Sequence, residues 1–188
     1  MTSFVLLFPD GEDRYLVLPY FWLPEDNRLP EHQVWADQGF LRLTPGSTCD
    51  YSFVKRDIVA LAKKFNIREF GFDDYNAEQL TQDLHEQHDI QRVNFPQTIS
   101  AFAGPTSEFE RLVISRGLVH NGHPILSLQA GHVTVKQDAN ANMRPVKPRH
   151  GDHRKIDGIV ASIMALGVAM ANNDTGSVYD QKGQVICY

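Results

Sequence analysis

Two aspartates stand where a carboxylate can do chemistry. Asp157 lies in the first turn of the stretch Lys155–Met170, KIDGIVASIMALGVAM, beside Gly158. That position is near the positive end of the helix dipole. It is also close to apolar interior, where an unpaired charge is costly unless it meets a cation or a metal. Asp73 closes EFGFD, at the carboxyl end of an expected strand, and open α/β sheets bind ligands beyond such ends. Each residue has a plainer reading. Asp157 can be a solvated acid that helps to cap its helix. Asp73 or Asp74 can open a turn or cap the helix that follows. Asp50, ahead of an amphipathic run, reads as an N-cap.

The loop Met143–Arg154, MRPVKPRHGDHR, carries a second set of reactive residues. Lys147, Arg149, Arg154 and Lys155 form a basic cluster that leads into Asp157. Such a cluster suits contact with a phosphate backbone, although charge clusters are weak motifs and often only solvated faces. His150 and His153 flank Asp152, and either suits a metal ligand or a general base. His120, His123 and His132 lack a tight metal spacing such as HExxH. Cys49 and Cys187 also lack metal-type spacing, which fits a reducing, cytoplasmic setting.

The elements that must position these groups follow from periodicity. In Lys155–Met170 the residues Ile156, Ile159, Val160, Ile163, Leu166, Gly167 and Met170 recur at helical spacing. Ala161, Met164, Ala165 and Val168 make the other faces apolar too, so this helix is expected to be buried. Thr2–Phe8 and Arg14–Trp22 flank a Gly-containing turn and read as a hairpin. Leu23–Gly46 reads as an irregular excursion with a short strand at Leu41–Leu43. A helix with Val54, Ile58, Leu61, Ala62 and Phe65 inward follows Asp50. Strands are expected at Glu69–Asp73 and Ile90–Phe95, with a helix capped by Asn76 between them. That alternation predicts an α/β layer with parallel neighbours. A helix over Thr106–Arg116 has a capping box from Ser107 to Glu110 and stops at Gly117. Pro124–Gly131 reads as a helical turn or two, Val133–Lys136 as a strand, Asp138–Asn142 as a turn, and Asn172–Tyr188 as a polar tail with a small strand at its end. The 188 residues, 42% hydrophobic, suffice for one cored domain. A net charge of −5 excludes a strongly basic protein but not a local basic patch. No apolar run reaches the length of a membrane span.

Several stretches together resemble the C-terminal nuclease domain of the large terminase subunit of tailed bacteriophages. They are FVLLFPDGEDRYLVLPYFWLPED, TPGSTCDYSFVKRDI, FGFDDYNAEQLTQDL, KIDGIVASIMALGVAMA and SVYDQKGQVI, in the family's order over nearly the whole chain. The resemblance implies a ribonuclease-H-like fold, a mixed central sheet flanked by helices. It also implies acids that bind two divalent cations, Mg²⁺ or Mn²⁺, and cleavage of concatemeric double-stranded DNA. By position, Asp73 matches the acid after the second catalytic strand and Asp157 the acid that opens the last helix. The implied partners are double-stranded DNA, the terminase ATPase domain, the small subunit and the portal, in the cytoplasm of a bacterial host. The sequence has no GxxxxGK[ST] loop, so the ATPase motor is expected elsewhere.

The family's first catalytic aspartate lies on a strand just before the one that here begins at Thr2. The chain is therefore expected to lack that strand and one carboxylate, which would weaken a metal site and leave a strand edge open to pairing. Asp152, His153 and Asp138 are the candidates to replace it. Residues 1–171 are expected to form the nuclease domain and 172–188 a tail. Two rival readings are a catalytically inactive prophage remnant that keeps DNA or packaging-partner contacts, and a resolvase-type nuclease of the same fold. The hairpin and tail matches argue against the resolvase, because they are not general to the fold.

Overall fold

The protein is described from a computed structural model. It describes the chain except Glu12, 150–151, 174–184 and 188, and gives only the backbone at 74–76, 173 and 185–187. In chain order the elements are β1 (Thr2–Pro9), β2 (Tyr15–Pro24), α1 (Pro30–Asp37), β3 (Arg42–Thr44), α2 (Tyr51–Ala62), β4 (Ile67–Phe72), α3 (Asp74–His88) and β5 (Gln91–Asn94). Then come α4 (Ile99–Ile114), β6 (Leu118–Val119), α5 (Pro124–Ala130), β7 (Thr134–Gln137), β8 (Met143–Val146), α6 (Asp157–Asn173) and β9 (Val185–Cys187).

The central sheet runs β3-β2-β1-β9-β4-β5, with β6 beside the start of β2. The expected hairpin pairs in full register from Thr2↔Trp22 to Pro9↔Tyr15. β4 and β5 are parallel, as the alternation of strand and helix required. β1 alternates its side chains between two cores, which is why its sequence is one continuous apolar run. Val5 and Leu7 join the cluster built on α4, α5 and α6. Phe4 and Leu6 join the cluster under α2 and α3. α6 is buried as its all-round apolarity demanded, with Ala165 and Leu166 fully enclosed.

β9 brings the tail back into the sheet. It lies between β1 and β4, antiparallel to Leu6–Leu7 and parallel to Ile67–Phe70. The strand edge that was expected to be open is thus covered over part of its length. Among the described residues, no strand pairs with Thr2–Val5 or with Gly71–Phe72 across this gap.

Four local expectations need correction. The excursion before β3 holds a helix, α1, whose Pro30 stands in the first turn, where a missing N–H costs nothing. α3 begins at Asp74, so Asn76 is inside it and not its cap. α4 starts seven residues earlier than the capping box suggested. Thr98 accepts the Ala101 N–H and caps it, and Pro105 and Ser107 lie inside the helix. The basic loop begins with a strand, because β8 pairs antiparallel with β7 from Val146↔Thr134 to Met143↔Gln137. Asp50 caps α2 as expected, its Oδ1 accepting the Ser52 N–H at 2.9 Å.

Candidate active site

Asp73 and Asp157 meet at one cavity. β1 runs opposite to β4, so the start of β1 and the end of β4 lie at the same end of the sheet. The cavity there, about 290 Å³, is lined by Met1–Phe4, Phe70–Asp73, Ile156, Asp157, Val160, Ala161 and Met164, with α2 and α3 closing it. It continues the gap that β9 fills only in part. Asp73 reaches it as the residue between β4 and α3, and Asp157 as the first residue of α6.

The hydrogen bonding around Asp157 bears on its two readings. Its Oδ2 is buried and has no hydrogen-bond partner. The first turn of α6 is capped from elsewhere, since the Gly158 N–H donates to Oε1 of Gln129 at 2.6 Å. A capping acid would spend its oxygens on those amides. A buried oxygen with unused lone pairs is open to a cation or a water. The Met1 ammonium, held below its ordinary pKa by burial, is pulled back up by Asp157 and pushed down by Lys155 and Lys147. Those two lysines therefore stand close enough to the cavity mouth to act on charge there.

The other expected ligands do not gather at the cavity. Asp152 is locked to Arg154: Nε donates to Oδ1 and Oδ2 at 3.0 Å each, and Nη2 to Oδ2 at 2.6 Å. These bonds hold its carboxyl well below the usual range, and its side chain is 8% exposed. A carboxylate so saturated has little left for a metal, and it leaves Arg154 largely engaged. His153 is exposed and outside the cavity lining. His150 lies outside the described residues. Asp138 closes the β7–β8 turn, accepting N–H groups from Asn140 and Asn142 and the Asn142 side-chain amide. Lys155 and Arg149 are exposed and Lys147 half-buried. Among the described residues, no three His, Cys, Asp or Glu side chains form a metal-sized cluster.

Two polar residues that matter were not singled out from the sequence. Gln129 is 1% exposed and, in PILSLQA, looks like one more helical polar residue. Asp57, inside an ordinary amphipathic helix, accepts the Trp22 indole N–H at 2.9 Å and pairs with Arg42 at 2.7 Å. The buried end of a helix that lacks a local cap is the signal that points to a partner such as Gln129.

Among the described residues, no helix is long and apolar enough to cross a membrane. The family described as the terminase large subunit, endonuclease domain, matches residues 2–173. The terminase large subunit of Enterobacteria phage HK97 is 29% identical over 192 residues, covering 97% of this chain and 36% of that protein. Protein YmfN of Escherichia coli strain K12 is 33% identical over 174 residues, covering 86% of this chain and 38% of its own. The chain thus spans well under half the length of these relatives. The crystal structure of the HK97 large terminase superposes with a TM-score of 0.77 at 28% identity, over 88% of this chain and 36% of that one. The large terminase nuclease of thermophilic phage G20c shares the fold at a TM-score of 0.51 and 12% identity, over 64% of this chain and 63% of that one. The fold is therefore the ribonuclease-H-like α/β arrangement of these nucleases, and the chain belongs to the family of terminase large-subunit endonuclease domains.

Proposed function

We propose that this chain is a metal-dependent endonuclease domain that cuts concatemeric double-stranded DNA for packaging, with Asp73 and Asp157 as its catalytic carboxylates. The observation that carries the reading is the buried, unpartnered Oδ2 of Asp157 on the cavity that Asp73 also lines. Carboxylate oxygens are the ligands hard cations prefer, so the pair fits Mg²⁺ or Mn²⁺. Bound there, a two-metal centre would supply an activated water and stabilise the leaving oxygen. The protein's own part is to hold two carboxylates at the end of a rigid sheet and to exclude bulk water with α2, α3 and α6. Lys147 and Lys155, with Arg149 exposed on the same loop, would receive the phosphate backbone. The packaging partners are an ATPase motor, a small subunit and a portal, and the setting is the bacterial cytoplasm. Residues 1–171 are taken as the domain and 172–188 as a tail that lends the sheet one strand.

The half-filled gap between β1 and β4 favours a second reading, a non-cutting remnant that keeps DNA or partner contacts. A plasmid-nicking assay in Mn²⁺ with wild type, Asp73→Ala and Asp157→Ala separates the two. Nicking by wild type alone supports the enzyme. Equal nicking by all three, or by none, removes the enzyme reading.

A further inference from the structure

We propose that Gln129 is the positioning residue of the site: by capping α6 from a neighbouring helix, it releases the Asp157 carboxylate for a cation. This rests on the reading of Asp157 as a metal ligand.

The first turn of α6 begins at Ile156, whose carbonyl accepts the N–H groups of Ile159 at 3.0 Å and Val160 at 3.0 Å. Ile156 stands at the N-cap position but has no side-chain acceptor, and it is 7% exposed. The Gly158 N–H is one of the two amides an N-cap side chain normally satisfies. With no local cap and no Gln129, the adjacent Asp157 carboxylate would be drawn toward that N–H by the helix dipole. Gln129 pre-empts it. Its Oε1 takes the Gly158 N–H at 2.6 Å, and Asp157 Oδ2 is left buried without a partner.

The surroundings hold Gln129 to this task. Its own carbonyl accepts the N–H groups of His132 and Val133 at 3.0 and 3.1 Å, which fixes the end of α5. Its Nε2 faces Sδ of Met1 at 3.3 Å, at the cavity wall. His132 Nδ1 lies 3.4 Å from the Lys155 carbonyl, so α5 and the entry to α6 are tied a second time. Gly158 makes the approach possible. A Cβ there would stand 2.6 Å from Cζ of Phe21 and 3.0 Å from Oε1 of Gln129.

The test compares Gln129→Met, which keeps the volume and removes the acceptor, with Ile125→Val, a core change in the same helix. Mn²⁺ binding by calorimetry should weaken about tenfold or more in Gln129→Met, as for other groups that orient metal ligands, and stay at the wild-type value in Ile125→Val. Wild-type affinity in Gln129→Met would overturn the proposal. The metal-free crystal structure of Gln129→Met gives a second readout, in which Asp157 should turn onto the Gly158 N–H. An unmoved Asp157 would likewise overturn it. If wild type itself takes up no Mn²⁺, the metal reading fails, and the orientation of Asp157 still decides the role of Gln129.

Discussion

Asp57 and Asp157 are both helix aspartates packed against the central sheet, on opposite faces, and their surroundings are opposite in kind. The Asp57 side chain, 13% exposed, accepts the Trp22 indole and pairs with Arg42 and Arg56. Arg42 in turn lies over the rings of Tyr20 and Trp22, 5.4 and 5.8 Å from their centroids. Burial pushes the Asp57 carboxyl up, yet the Trp22 and Arg42 contacts outweigh it and the net shift is downward. Asp157 has one oxygen, Oδ2, that is buried and has no hydrogen-bond partner. The hydrogen bonds and ion pairs of Asp57 tie it to the fold, whereas the open lone pairs of Asp157 are what the proposed metal role rests on.

Alanine at each position tests that contrast. Asp157→Ala should cut Mn²⁺-supported nicking at least about a hundredfold, since even groups that merely orient metal ligands are worth 10–100-fold. Its melting temperature should hold or rise, because an unsatisfied buried polar atom costs about 1–3 kcal/mol. A drop of several degrees in Asp157→Ala would make it a structural residue like Asp57. Asp57→Ala should lose about 2–3 kcal/mol in urea unfolding, because it strands the fully buried Trp22 N–H. Its Mn²⁺ affinity should be unchanged, and a matching loss of metal binding would erase the distinction.

The same contrast explains what the sequence could reveal. Periodicity marks a residue's own element, so β1, β2 and α6 were legible, and with them the helix start and strand end that carry Asp157 and Asp73. Capping by Asp50 was legible because it is local. Gln129 and Asp57 were not, because their partners lie 29 and 35 residues away and nothing in either helix encodes the pairing. Asp152 misled for the same reason in reverse. Two histidines beside an acid suggest a metal, but Arg154, two residues on, had already taken the carboxylate. α1 lay in a stretch without clear periodicity, with Pro30 at a tolerated first turn, and the true start of α4 was hidden by a capping-box pattern that falls inside a helix carrying Pro105 and burying Phe102 and Leu112.

His123 extends the comparison to a buried base on the α6 side of the sheet. It packs against Phe21 and Phe40, ring centroids 5.3 and 4.9 Å away. Burial first, and then His120, lower its pKa from 6.5 to about 4. The folded state thus holds fewer protons than the unfolded chain between those values, so stability falls as pH drops through that window. The contribution is complete above pH 6.5 and amounts to a loss of roughly 2 kcal/mol by pH 5. Urea unfolding at pH 7 and pH 5 measures it. His123→Asn, which keeps an N-cap for α5, should flatten the difference. An equally steep loss in that variant would place the sensitivity elsewhere.

The smallest effect expected concerns the basic loop, where Arg154 and Lys155 are adjacent in sequence but not equivalent. Arg154 is spent on Asp152, while Lys155 is exposed and near enough to the cavity mouth to act on the Met1 ammonium, as is Lys147. Each lysine replaced by alanine should weaken duplex DNA binding uniformly across sequences and reduce the slope of log affinity against log salt by about 1. Arg154→Ala should change that slope by less, because its charge is already compensated within the protein. Fluorescence anisotropy on a labelled duplex across a salt series reads all three variants. A larger change for Arg154→Ala than for Lys155→Ala would mean that the Asp152 ion pair opens on DNA. In that case the carboxylate it frees would have to be counted again among the candidates for metal.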